Sequence, residues 1–299
     1  YMKIHVPITL KVLLTAVIIV PLVKSFMFTS CTIPYTGMEN SLYQGERVLV
    51  NKWSYGLRIP FTSIHLRANR AEKGDIVLFN NPNPTAWETP IFARELFVSR
   101  CVGVPGDTLM LNRELMVTGD KALSPDSKAL YVYPYTADDS LLHTMNELGI
   151  KDNPLVGYTE GKYMRSFSHY EYYLLKQRLD SGVELHPLHD NDSLESHPFV
   201  IPTKGKEIQV YPWNMALLCN TLNHHEGRKA YIKNDTLHVE GKPVNSYTFQ
   251  KDYYWMVANN PINLLDSRLF GLVPHDHLIG RVSTIWFSSQ KERIFQSVQ

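Results

Sequence analysis

Short stretches of this 299-residue chain alternate apolar with polar residues, and that period predicts strands rather than long helices. Residues 45–52, GERVLVNK, read as a half-buried strand carrying Val48 and Val50. Lys73-Gly74-Asp75 turns into the apolar run IVLF. EIQVY at 207–211 is a further strand, and KAYIKNDTLHVEGKPV at 229–244 reads as a β-meander. Asn234-Asp235 and Glu240-Gly241 stand there at its tight turns. Residues 167–180, with Tyr170, Tyr172, Tyr173, Leu174, Leu175 and Leu179, predict one amphipathic helix. The stretches 58–71 and 80–93 are polar or rich in Pro and Asn and predict loops.

One run breaks this pattern. Residues 6–28, VPITLKVLLTAVIIVPLVKSFMF, form the membrane candidate. Counting Ile8 to Phe28 reaches the roughly 20 residues a spanning helix needs, provided Lys11 and Lys24 snorkel toward the interfaces. Lys3 ahead of it favours a cytoplasmic N-terminus, with the remaining chain on the periplasmic or equivalent side. A cleaved signal peptide and a lipoprotein signal compete with this anchor, since Phe28-Thr29-Ser30-Cys31 loosely fits a relaxed lipobox. Lys24 inside the apolar run favours the uncleaved anchor.

Composition narrows the picture. A net charge of +1 gives no footprint for nucleic acid, and 17 Tyr with 5 Trp fit a β-rich globular body. Cys31, Cys101 and Cys219 are odd in number and lack metal-like spacing. His224, His225, His275 and His277 have no carboxylate or thiol at ligand spacing, and the last two read as a solvated turn. No metal or other cofactor is expected.

Three segments carry a family resemblance. Ile33–Gly56, IPYTGMENSLYQGERVLVNKWSYG, resembles the first conserved box of bacterial type I signal peptidase, the membrane serine protease that removes signal peptides from exported proteins. Ile33, Pro34, Met38, Leu42, Gly45, Val48, Val50, Lys52, Tyr55 and Gly56 fall in register. FVSRCVGVPGD at 97–107 is similar to a second box, and 253–287, with Asp266-Ser267-Arg268 and Gly271, to the last. The resemblance implies a mainly β fold, an antiparallel sheet or barrel body behind one N-terminal transmembrane helix. It also implies a short cytoplasmic start at 1–7, an anchor at 8–28, a body built from 29–108 and 251–299, and an inserted second β-rich domain at 109–250. Cys31 and Cys101 lie in boxes that converge in that fold, so a disulfide between them is compatible with an exported domain.

The same resemblance marks what is missing. Such a protease needs a hydroxyl nucleophile, a desolvated neutral lysine as base and donors for the oxyanion. Gly37 stands at the nucleophile position, Ser99 at the lysine, Tyr35 at the oxyanion serine and Leu264 at the serine that supports the lysine. Arg100 matches a structural arginine that the resemblance sets near the Asp266 carboxylate, in the run that also holds Arg268. Ile33, Pro34, Met38, Leu42, Phe97 and Val98 match apolar residues lining the substrate pockets, and all six are equally compatible with a core.

Two of the four chemical positions are the dyad itself, so a catalytically inactive member of the inner membrane is expected. It would bind signal peptides, or act beside an active peptidase or the secretion channel. An active peptidase using Thr36, Ser41 or Ser99, and a lipid-anchored binding protein, are the alternatives.

Overall fold

The computed structural model describes residues 26–66, 69–118, 124, 126–151, 153–179, 183–188, 195–263 and 265–298, together with 8, 9, 15–17, 19 and 20. Its centre is a seven-stranded antiparallel sheet. The strands run in the order Phe28–Thr32, Arg47–Asn51, Leu278–Phe287, Ile76–Asn80, Leu96–Gly103, Tyr253–Val257 and Val273–Pro274. Thus a strand near the end of the chain lies between two early ones, and residues 104–252 add no described strand to this sheet.

Side-chain alternation covers both faces of the sheet. Ile76 and Leu78 join Ile33, Met38, Leu42, Val48 and Val50 on one side. Val77 and Phe79 join Phe97, Cys101, Tyr254 and Met256 on the other. The register slips beside Arg47, between Leu49 and Val50, between Leu278 and Gly280, and between Trp255 and Met256. Each such bulge adds local twist, so the sheet curls.

The middle of the chain packs around two further cores. Lys128–Pro134, Gly157–Thr159, Lys162–Ser168 and His186–Pro187 form a four-stranded sheet. The helices Asp138–Glu147 and His169–Arg178 contribute Leu141, Met145 and Leu175 to its core. The helix Met215–His225 buries Leu218 and Leu222 against Phe199, Leu237 and Trp255.

The meander forms as expected, with strands Ala230–Lys233, Thr236–Val239 and Lys242–Pro243. Asn234 and Asp235 have φ of 49° and 53°, and Glu240 and Gly241 of 50° and 80°. Left-handed residues at both central positions make two-residue turns whose twist matches the strands.

Other expectations need correcting. The helix expected at 167–180 is His169–Arg178; Phe167 and Ser168 complete the preceding strand. A capping box sets this boundary, because Ser168 accepts from the Glu171 N–H while the Glu171 carboxylate accepts from the Ser168 N–H. The expected loop at 58–71 contains the paired strands Leu57–Arg58 and His65–Leu66. Asp138–Glu147 and Met215–His225 are helices in a region read as strand-rich. Cys31 and Cys101 are both free thiols, carried on different strands of the sheet and packed in clusters on its opposite faces. The span proposed at 8–28 falls mostly outside the described residues; among those described, no helix is long and apolar enough to cross a membrane.

Gly280 shows how tightly the inserted strand fits. A Cβ there would stand 2.4 Å from the Asn51 carbonyl oxygen and 2.9 Å from Val50 Cγ1. Gly280→Ala is expected to destabilise the protein by about 2 kcal/mol or more in urea unfolding, because backbone must move to admit one methyl.

Candidate active site

The three boxes meet at the turn Thr36–Met38, which packs on the Leu96–Gly103 strand. Gly37 is buried, and its carbonyl accepts the Asn260 N–H at 2.9 Å. A Cβ on Gly37 would lie 3.3 Å from the Asn263 carbonyl oxygen and 3.6 Å from Ala258 Cβ. The 258–263 segment therefore covers the position where a nucleophilic side chain would begin.

Ser99 sits on the neighbouring strand, fully buried, and its hydroxyl donates to the Leu265 carbonyl at 3.1 Å. Tyr35 gives its hydroxyl proton to Glu95 and sets its ring edge against Phe97 at 6.1 Å. Burial, with the Glu95 carboxylate adding to it, pushes the Tyr35 phenol up to about 12. Leu264 lies outside the described residues.

Of the six apolar pocket candidates, Ile33, Met38, Leu42 and Phe97 are buried in the two cores of the sheet. Val98 is half-buried and Pro34 exposed.

Asp266, with none of its surface exposed, caps the short helix Ser267–Phe270 and accepts from Ala258 N at 2.8 Å. Its partner is Arg268, whose Nε reaches both carboxylate oxygens at 3.1 and 3.0 Å. Arg100 points elsewhere. Its guanidinium donates to Gly74 O at 2.9 Å and Ser41 Oγ at 2.8 Å, and lies 3.7 Å from Asp126. Two residues beyond the carboxylate, Arg268 satisfies Asp266 locally, which leaves Arg100 to serve the first box.

A polar cluster that no motif announced surrounds the turn. Lys128, whose side chain is fully buried, pairs with Glu39 at 3.0 Å and donates to Asn153 Oδ1 at 2.6 Å. Asn260 Nδ2 donates to the same Glu39 oxygen at 2.8 Å. Asn259 Nδ2 contacts Glu39 O at 3.0 Å and Ser41 Oγ at 2.8 Å, and Ser41 donates to Asp126 at 2.5 Å. These bonds tie the first box to the last and to the four-stranded sheet. Glu39, Lys128 and Asn153 had no sequence signal, since a single Lys in a stretch without motifs resembles any surface lysine. Asn259 and Asn260 were visible only as an eroded part of the last box.

The histidines correct a second expectation. His277 is 1% exposed, not solvated. Its Nδ1 faces Asp276 at 2.8 Å and its Nε2 faces Arg94 at 3.3 Å. Arginine can only donate, so Nε2 is the acceptor and the imidazole is neutral with its proton on Nδ1. Lys251 also pairs with Asp276, at 2.8 Å. The ring of His225 lies 5.5 Å from that of His277, and His224 stacks on Trp87 at 4.3 Å. Among the described residues, no group of three or more His, Cys, Asp or Glu could hold a metal.

The family model described as "Signal peptidase, peptidase S26" matches residues 8–167 and 200–287. The chain belongs to that family. It is 26% identical to Signal peptidase I of Buchnera aphidicola subsp. Schizaphis graminum over 281 residues, covering 92% of this chain and 72% of that protein. Signal peptidase I of Helicobacter pylori is 22% identical over 286 residues, covering 91% and 79%. A shorter match, 30% identical over 105 residues, joins it to Signal peptidase I of Pseudomonas aeruginosa and covers 34% of each.

Two predictions test these clusters. Lys128→Met leaves Glu39 buried without its cation and is expected to cost about 3–5 kcal/mol in denaturant unfolding. Adding Glu39→Leu should recover part of that loss, a coupling that a double-mutant cycle reads directly.

Burial, the largest cause, lowers the pKa of both His225 and His277 below the ordinary imidazole value, and it outweighs the Asp276 carboxylate, which acts in the opposite direction on both. His65 is lowered to about 4, again chiefly by burial. The unfolded chain therefore binds more protons than the fold below about pH 6.5, and stability falls as pH drops. Tm is expected to decrease steadily from pH 7 to pH 5, and His277→Gln to lower Tm at pH 7 but flatten that slope.

Proposed function

We propose that this chain is a membrane-associated member of the signal peptidase family that no longer cuts peptide bonds. It holds signal peptides, or serves as a subunit beside an active peptidase or the secretion channel. The observation that carries this reading is the pair Gly37 and Ser99, because neither position of the dyad has a side chain able to play its part. Loss of one dyad member leaves only a residual rate, roughly 10³–10⁴ over water. The 258–263 segment packs closely on Gly37, so a side chain there would need the Asn263 carbonyl to shift slightly.

Two of the three nearby hydroxyls offer little replacement. Ser41 accepts from Arg100 and Asn259 while donating to Asp126, which engages both its lone pairs and its proton. Ser99 is shut inside the sheet. On this reading, a bound peptide would meet Pro34 and Val98, the candidate residues that retain exposed surface. Residues 29–108 and 251–299 form the family body, 109–250 its insert, and the apolar run at 8–28 anchors both at the cytoplasmic membrane, on its outer face.

Cleavage of a preprotein by the purified chain in detergent tests the proposal. The unmodified protein is expected to release no mature product under conditions where an active relative cuts to completion. Product from it, abolished by Thr36→Val, Ser41→Ala or Ser99→Ala, would overturn the reading. A Gly37→Ser, Ser99→Lys double variant asks whether the scaffold still supports chemistry. Its serine needs the Asn263 carbonyl to yield by a few tenths of an ångström, because the Cβ contact is 3.3 Å.

A further inference from the structure

Residues 81–95 form a loop between the strands Ile76–Asn80 and Leu96–Gly103, closed at its base where the Asn81 N–H donates to Glu95 O at 2.7 Å. The N–H groups of Asn83, Thr89, Ala93 and Arg94 bond to acceptors inside the loop, at Asn81, Ala86, Pro90 and Ile91. Side chains fasten the loop to the body. The Trp87 ring stacks on His224 of the helix Met215–His225 at 4.3 Å and 8°, and Phe92 meets Phe61 edge-on at 6.3 Å.

Arg94 ties the loop down at a further point. Its guanidinium lies 5.5 Å from the centre of the Trp87 ring and donates to His277 Nε2 at 3.3 Å. That bond exists only while His277 is neutral, because an imidazolium carries a proton on both nitrogens and keeps no lone pair for arginine.

The surroundings disfavour a proton on His277. Its Nδ1 faces Asp276 at 2.8 Å, but Lys251 takes the same carboxylate at 2.8 Å. Arg94 stands at Nε2, and the His225 ring lies 5.5 Å away. Arg58, His65 and His275 also act on Asp276 from other elements. Glu226 is engaged by the Tyr253 hydroxyl at 2.7 Å and the Gln250 N–H at 2.9 Å. Asp276 therefore faces Lys251, Arg94 and Arg58 before any histidine is charged. Behind the loop lies a cavity of about 330 Å³, walled by Pro82 and Trp87 on one side and by Thr221, His225 and Phe270 on the other.

We propose that protonation of His277 releases the 81–95 loop from the body and opens this cavity. The charged imidazole sets cation against cation at Arg94, the guanidinium withdraws, and the Trp87 ring leaves His224 with it. Glu95 ends the loop and accepts the Tyr35 hydroxyl, so the release reaches the first box. The open form binds one proton more than the closed form below about pH 6.5, and its share relative to the closed form rises about tenfold for each pH unit below that value. The inference holds whether or not the chain cuts preproteins.

Fluorine NMR of the full chain in detergent, labelled with 5-fluorotryptophan at its 5 Trp, tests it. Trp87→Phe and Trp255→Phe assign the two signals used. Between pH 7.5 and pH 5 the Trp87 signal is expected to pass to the position of an unstacked, solvent-exposed indole, while Trp255, buried in the core, holds its position. A glutamine can accept from Arg94 and donate to Asp276 without titrating, so His277→Gln should keep Trp87 stacked and reduce the open share at pH 5 about tenfold or more. Arg94→Ala removes the tie from a half-buried position and should free Trp87 already at pH 7.5. His224→Phe keeps a ring to stack on and should leave the midpoint unchanged. A Trp87 signal that stays in place down to pH 5, or moves equally in His277→Gln, would overturn the proposal. So would a response that disappears in His224→Phe, since His224 would then be the titrating group, or one that comes only together with Trp255, which is global unfolding.

Discussion

The late strand Leu278–Phe287 lies between Arg47–Asn51 and Ile76–Asn80, and the rest of the molecule depends on that insertion. Without it, each early strand would present an unpaired edge, and neither core of the sheet would close. Gly280 allows the close approach to Asn51, and the bulges on either side of the insertion curl the sheet around Met38 and Leu42. Ends of the chain that are far apart in sequence thus form one surface, and the three boxes have no common site until that surface exists.

Within this frame, the turn Thr36–Met38 is held by a network of hydrogen bonds and one buried ion pair. Asn260 bonds the Gly37 carbonyl, Asn259 bonds Glu39 and Ser41, and Lys128 brings a buried cation to Glu39. A buried ion pair with additional hydrogen bonds specifies geometry more than it stabilises, because desolvation offsets much of the attraction. The network accordingly fixes the position of the first box relative to the four-stranded sheet. Ser99 contributes in the same way, by bonding Leu265 and anchoring the last box.

Much of this was legible in the residues. The meander turns at Asn234-Asp235 and Glu240-Gly241 follow from local backbone preference, the strand around Val48 from side-chain period, and the strand at Ile76 from an apolar run that follows a turn. The helix Met215–His225 was not legible, since its apolar residues MALLC read equally well as a buried strand until Phe199 and Trp255 pack on one side of it. His277 looked solvated because its neighbours in sequence are polar; it is buried by Arg94 and His225, which come from other elements.

The sequence by itself determined the family, the absence of a hydroxyl at 37 and of an amine at 99, and the local punctuation of turns and caps. Those depend on residue identity and on interactions spanning a few positions. Only the tertiary structure decided that Asp266 pairs with Arg268 rather than Arg100, that the 258–263 segment covers Gly37, and that Lys128 is buried against Glu39. Such pairings join residues far apart in sequence, 220 positions between Asn259 and Glu39. Their partners are chosen by which side chains the curled sheet brings within reach, and that information is present in no single stretch of the chain.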